Sequence, residues 1–227
     1  MWPEILLVSL WGGIVALDTT AALQIMISRP LVACTVAGLI LGNAPVAFLF
    51  GMLMELVYIC ELPVGAATFS EGNVGAVVAA ALAVLILRVS PRLSLVLTIS
   101  LAIALGMSIV GGLLVKKMRS INVKTYDHLI EHKTINIRNV AIAQYSGLFL
   151  AFILGFGLTL TAIAVLYYPL TTIIQQIPLR YDPVFKPVGG ALLGAGCAFL
   201  LNMVLRKNKY KWLVILGLLM GALFFYL

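Results

Sequence analysis

Residues 93–115 read LSLVLTISLAIALGMSIVGGLLV, twenty-three residues with no charged side chain, and residues 116–119 read KKMR. A helix of that length crosses the ~30 Å hydrocarbon core of a bilayer at about 1.5 Å per residue. A barrel strand would be shorter and would alternate apolar with polar side chains, and this run does neither. It is expected to be a membrane-spanning helix, with the basic residues at its end on the cytoplasmic side. The rest of the chain agrees: of 227 residues, 63% are hydrophobic and 10% charged. A soluble domain is roughly one quarter charged, and no soluble core could hide so much apolar surface behind so few charges. The fold class expected is an all-α polytopic membrane protein.

Toward the C-terminus, residues 116–139 are polar and keep only a rough helical period, which suggests a cytoplasmic connector lying partly on the membrane surface. Residues 140–168 form a long span, 169–186 a loop marked by Pro178 and Pro183, 187–205 a further span, and 212–227 a short last helix. Toward the N-terminus the pattern is less regular. The apolar run from Ile5 is interrupted by Asp18-Thr19-Thr20, residues 31–41 end at Gly42-Asn43-Ala44-Pro45, and residues 46–60 contain Glu55. Such short, interrupted runs read as broken or re-entrant helices lining a protein interior. A polar loop, 61–73, precedes a Gly- and Ala-rich helix, 74–87, suited to close helix packing. The division is an N-terminal membrane region (1–115), a connector (116–139) and C-terminal membrane helices (140–227).

Charge placement sets the topology. Ten of the fifteen Lys and Arg fall in two groups, Lys116, Lys117, Arg119, Lys124, Lys133 and Arg138, then Arg206, Lys207, Lys209 and Lys211. Neither group is interleaved with aromatics as a nucleic-acid surface would be, and both are expected in the cytoplasm. Arg88 and Arg92 then fall on the outer side, against the positive-inside trend. Cys34, Cys60 and Cys197 lack metal or disulfide spacing and read as buried apolar residues. The first apolar run lacks the basic n-region of a cleaved signal and is expected to be retained. His128 and His132 have no third ligand nearby in sequence. Phosphate-binding loops and nucleophile–base pairs are likewise missing. No catalytic residue, metal or cofactor is expected.

The residues that bear on function are ionisable or polar groups at membrane depth, which mark pathways or sites. Glu55 has three open roles: ligand contact, a structural pair with Arg29, or proton coupling. Asp18 is open to a coupling role or to simple helix N-capping. Gln24 has the donor and acceptor that sugar hydroxyls need, or ties helices together. The loop around Thr68, Ser70, Glu71 and Asn73, with its glycines, suits a hydroxyl-rich solute or an ordinary turn.

The stretch QIMISRPLVACT at 24–35, with Leu17-Asp18 before it and GLILG at 38–42 after it, resembles the start of the IIC subunit of mannose/fructose/sorbose-type phosphotransferase-system transporters. GMLMELV at 51–57 resembles that family's segment with a glutamate inside an apolar helix, and PVGAA at 63–67 its re-entrant-loop motif. The resemblance covers roughly residues 1–80. It implies a sugar-translocating channel formed with a IID membrane subunit in the bacterial inner membrane, as trimers of IIC–IID pairs with an elevator-like core. Cytoplasmic IIA and IIB subunits would relay phosphate from phosphoenolpyruvate to the sugar. By position it puts Gln24, Glu55, Ala66, Ala67, Ser70 and Glu71 in or beside the sugar-facing motifs; Asp18, Arg29, Glu61 and Asn73 are candidates for structural or coupling roles on their own chemistry. Ser70-Glu71 replaces the family's common Pro-Asp, Glu61 adds a charge, and the C-terminal half is shorter than usual, so the sugar stays open. The function expected is import of a hexose or related sugar. Its rivals are a proton- or ion-coupled secondary transporter and a non-transporting scaffold.

Overall fold

The structure, a computed structural model, describes residues 1–22, 24–58, 72–128, 136–188, 190–191 and 194. All regular elements among them are helical. Helix α1 (Trp2–Ala16) continues into a wider turn over Leu17–Ala21. Helices α2 (Pro30–Ile40), α3 (Ala44–Tyr58) and α4 (Gly72–Leu87) are short, whereas α5 (Leu93–Tyr126) and α6 (Ile137–Gln176) are long. Helix α1 with its last turn, α5 and α6 are each long and apolar enough to cross a membrane. By contrast α2, with 11 residues, is only about 16 Å long.

The breaker cluster at 42–45 is a tight turn between α2 and α3. Gly42 takes the left-handed conformation (φ 79°) and the Asn43 amide reaches back to the Gly38 carbonyl, which closes the end of α2. The Asn43 side chain then accepts from the Val46 amide and starts α3.

Helix α4 touches α1, α2, α3, α5 and α6, and its side chains are buried from Val74 to Ile86. Its mainly alanine and valine faces let the neighbours close around it, since helices in lipid associate through close packing. Helices α1 and α6 cross closely, where a Cβ on Gly155 would lie 2.4 Å from that of Ala16 and 2.5 Å from the Gly12 carbonyl oxygen. Large side chains such as Leu7 and Leu10 on α1, Ile109 and Leu113 on α5, and Phe149 and Val165 on α6 point outward, a surface fit for lipid.

Two arginines organise one end of the bundle. Arg88 pairs with Glu4 at 2.8 Å and also donates to the Leu41 carbonyl. Arg92, 9% exposed at its side chain, pairs with Asp182 and donates to the carbonyls of Ile174 (2.9 Å) and Ile177 (2.6 Å). This end therefore gathers the start of α1, the α2–α3 turn, the α4–α5 turn and the end of α6. The basic residues 116–124 lie at the opposite end of α5. The apparent conflict with charge placement has a local cause, because both arginines are held as caps and ion-pair partners. Helices α1 and α2 leave this end and return to it, as do α3 and α4, so the N-terminal third is built from two helical hairpins.

Three expectations change. Residues 169–186 are not a plain loop: α6 runs through Pro169 to Gln176, followed by a 3-10 turn at Leu179–Tyr181 and a helical stretch, 182–188. Proline is tolerated in a membrane helix where neighbouring helices pack around it, and Ile174, just beyond it on α6, is fully buried. The first half of the connector is not separate from the preceding span, since α5 continues as one helix to Tyr126. Asp18 caps no helix start, as it sits in the last turn of α1. The loop expected at 61–73 up to residue 71, and the spans expected after residue 194, fall outside the described residues, as do Lys133, His132, Cys60 and Cys197. Cys34 is buried and free, as its apolar setting suggested.

Candidate functional site

The chain reverses direction between α1 and α2, and the backbone amides this takes out of helical bonding need other acceptors. Asp18, only 2% exposed, supplies two of them. Its Oδ1 accepts from the Ile25 amide and its Oδ2 from the Ser28 amide, each at 2.8 Å. A carboxylate spanning two N–H groups satisfies them and compensates its own buried charge. The turn it encloses holds Gln24 (φ 51°) and Met26 (φ 68°) in the left-handed region, which side chains other than glycine rarely adopt.

Glu55 does the corresponding task at the start of α2. Pro30 has no N–H, so the first free amide of the helix is that of Leu31, which donates to Glu55 Oε2 at 3.2 Å. Glu55 Oε1 lies 3.4 Å from Arg29 Nη1. The carboxylate thus faces the positive end of the α2 dipole and ties α3 to it. The Arg29 pairing weighed from the sequence is formed. The Glu55 side chain stays 22% exposed, and its oxygens retain lone pairs for a further donor.

The second hairpin meets the first here. Asn73, in the first turn of α4, donates to Thr19 Oγ1 at 3.3 Å, and Thr19 in turn donates to the Val15 carbonyl at 2.8 Å. The last residue of α3, Tyr58, lies with its ring against Gly72, where a Cβ would come within 2.7 Å of it. Tyr58 and Gly72, the described residues on either side of 59–71, are thus in contact, next to the Asn73–Thr19 bond. Ala66, Ala67, Ser70, Glu71 and Glu61 belong to that stretch and lie outside the described residues. Gln24 is exposed, and its carboxamide has no hydrogen bond to a described residue.

Depth follows from helix length. Thr19 and Asn73 are each fifteen residues from the Glu4–Arg88 pair, about 22 Å at the helical rise. The uncharged run of α5, residues 93–115, is about 34 Å long. The junction sits roughly two-thirds of the way toward the basic end, and Gly75 beside it packs on the Ala104 carbonyl at the middle of that run. Sequence reasoning named Asp18, Gln24, Arg29, Glu55 and Asn73 but missed Thr19 and the Leu31 amide. Pro30 was the available signal, because a helix starting on proline inside a membrane leaves nearby amides in need of an acceptor.

The family described as the sorbose-specific IIC component of the phosphotransferase system matches the chain over residues 2–226. The chain belongs to this family. Among relatives, the sorbose-specific EIIC component of Klebsiella pneumoniae is 29% identical over 86% of this chain and 71% of its own length. That of Lacticaseibacillus casei is 22% identical over 90% of this chain and 72% of its own. The mannose-specific EIIC component of Escherichia coli strain K12 is 26% identical over 78% of this chain and 64% of its own. A solved membrane protein shares the fold with a TM-score of 0.71 at 22% identity, covering 98% of this chain and 87% of that one. The mannose transporter ManYZ, solved in complex with microcin E492, gives 0.55 at 20% identity over 100% of this chain and 96% of that one. The IIC resemblance read from residues 1–80 thus extends over nearly the whole chain. The protein is a multi-pass membrane component of phosphotransferase sugar transport, and the IIC reading stands over the secondary-transporter and scaffold alternatives.

Proposed function

We propose that this IIC chain carries a hexose or related sugar across the bacterial inner membrane, and that IIA and IIB partners phosphorylate the sugar on delivery. A IID membrane subunit completes the path, in trimers of IIC–IID pairs. The basic end of α5 faces the cytoplasm, and the C-terminal basic group lies on the same side. The observation that carries the reading is the junction itself: in a IIC-family chain two helical hairpins meet through Asn73 and Thr19, with the neighbouring Asp18 and Glu55 holding the turn and the start of α2 between them. A sugar needs donors and acceptors in place of water along its path. Gln24 offers both, Glu55 offers an acceptor, and Ser70 and Glu71, with the small Ala66 and Ala67, complete the seat. Mannose and sorbose, named for the relatives, are the first sugars to try.

The test is uptake of labelled mannose and sorbose by vesicles holding this chain with its IID neighbour, loaded with the soluble phosphotransferase proteins. Uptake of at least one sugar should require phosphoenolpyruvate and should yield the sugar phosphate. Uptake of free sugar driven by a proton gradient alone would contradict the reading.

A further inference from the structure

The turn between α1 and α2 combines features that do not hold one another up. Gln24 and Met26 sit in left-handed conformations, at φ 51° and 68°, and neither is a glycine. Such residues persist only where the surroundings over-determine them. Their own packing does not do so, since Ile25 and Met26 are 63% and 67% exposed. The restraint is instead the buried Asp18 carboxylate, one oxygen on the Ile25 amide and the other on the Ser28 amide. These two bonds bracket the turn, and Gln24 directly precedes the first. The turn is closed further by the Arg29 amide on the Met26 carbonyl and the Gln24 amide on the Ala22 carbonyl. Thr19, the next residue after Asp18, is held by Asn73 of α4. The carboxylate is thus anchored to the bundle while it shapes the exposed loop.

We propose that Asp18 is a positioning residue for sugar recognition, which fixes the 24–28 turn so that the Gln24 carboxamide is presented to the ligand. This rests on the sugar-facing role of Gln24 given above. Two amides require two acceptors, and that requirement separates chemistry from shape. Asp18→Asn keeps the size but turns one acceptor into a donor facing a donor. Asp18→Glu keeps both acceptors and adds a methylene. Positioning by acceptance orders function as Asp, then Glu, then Asn, whereas a space-filling role orders it as Asp, then Asn, then Glu.

Two measurements on the membrane complex decide it. The first is amide hydrogen exchange resolved to single residues. In the unsubstituted chain the Ile25 and Ser28 amides should exchange at least about tenfold more slowly than the Met26 amide, and Asp18→Asn should remove that difference. Absence of protection at Ile25 and Ser28 in the unsubstituted chain overturns the proposal, whether or not the variant folds. The second is equilibrium binding of mannose and sorbose, normalised to folded complex. Asp18→Asn should weaken binding by about tenfold and Asp18→Glu by less. Binding unchanged in Asp18→Asn, or weaker in Asp18→Glu than in Asp18→Asn, also overturns it. So does an Asp18→Asn variant that loses the pH dependence of uptake while the two amides stay protected, because that marks a proton carrier. If the unsubstituted complex binds neither sugar, the functional reading is what fails, and the exchange pattern by itself upholds or overturns Asp18 as the residue that sets the turn.

Discussion

Glu55 shows how one side chain can tie elements together and still lie beside a ligand path. From α3 its oxygens reach the Leu31 amide and the Arg29 guanidinium, both at the start of α2. In Glu55→Gln the guanidinium loses its counter-charge in a partly buried place, a change of about 1–3 kcal/mol. The purified complex should therefore melt at a lower temperature, and Arg29→Gln added to Glu55→Gln should recover part of the loss. An unchanged melting temperature in the single variant would show that the pair carries no stability. The sequence made the residues of this site visible because charge inside an apolar run is conspicuous. It hid their partners, because the amides of Ile25, Ser28 and Leu31 are backbone groups that no letter announces.

At the scale of elements, close approach and helix ends decide the packing. Gly155 meets α1 with no room for a side chain, whereas a Cβ on Gly157, two residues along α6, would meet nothing within 4 Å. Gly155→Val should abolish a monodisperse complex in size-exclusion chromatography, and Gly157→Val should leave it intact. Equal damage from both would place the effect in helix propensity instead of the α1–α6 contact. Arg92 closes the other end of α6 by holding the Ile174 and Ile177 carbonyls and Asp182. Arg92→Gln should lower the melting temperature by more than Asp182→Asn, since the latter keeps the carbonyl bonds; the reverse order would make the ion pair the main tie. The spans over residues 93–115 and 140–168 were legible from hydropathy, and the α2–α3 turn from Gly42-Asn43. The length of α6 was not, because Pro169 reads as a stop in the sequence, whereas a helix packed among neighbours runs through it. Nor was the reach of α5 to Tyr126, since a polar sequence past the membrane edge keeps little apolar period.

For the whole molecule, sidedness follows from the opposition of the arginine-capped end to the basic end of α5. With the native cysteines replaced, an impermeant maleimide should label Val89→Cys in intact cells and Ser120→Cys only after permeabilisation, as both positions are exposed. The opposite pattern would invert the topology. The central claim, however, is that a sugar is recognised where the two helical hairpins meet, and its most direct test is equilibrium binding of labelled mannose and sorbose to the purified complex with the IID subunit. The unsubstituted complex should bind at least one of them saturably, and Gln24→Ala should weaken that binding by about tenfold, the equivalent of one good hydrogen bond, while the complex stays intact. Equal affinity in the two would contradict the account.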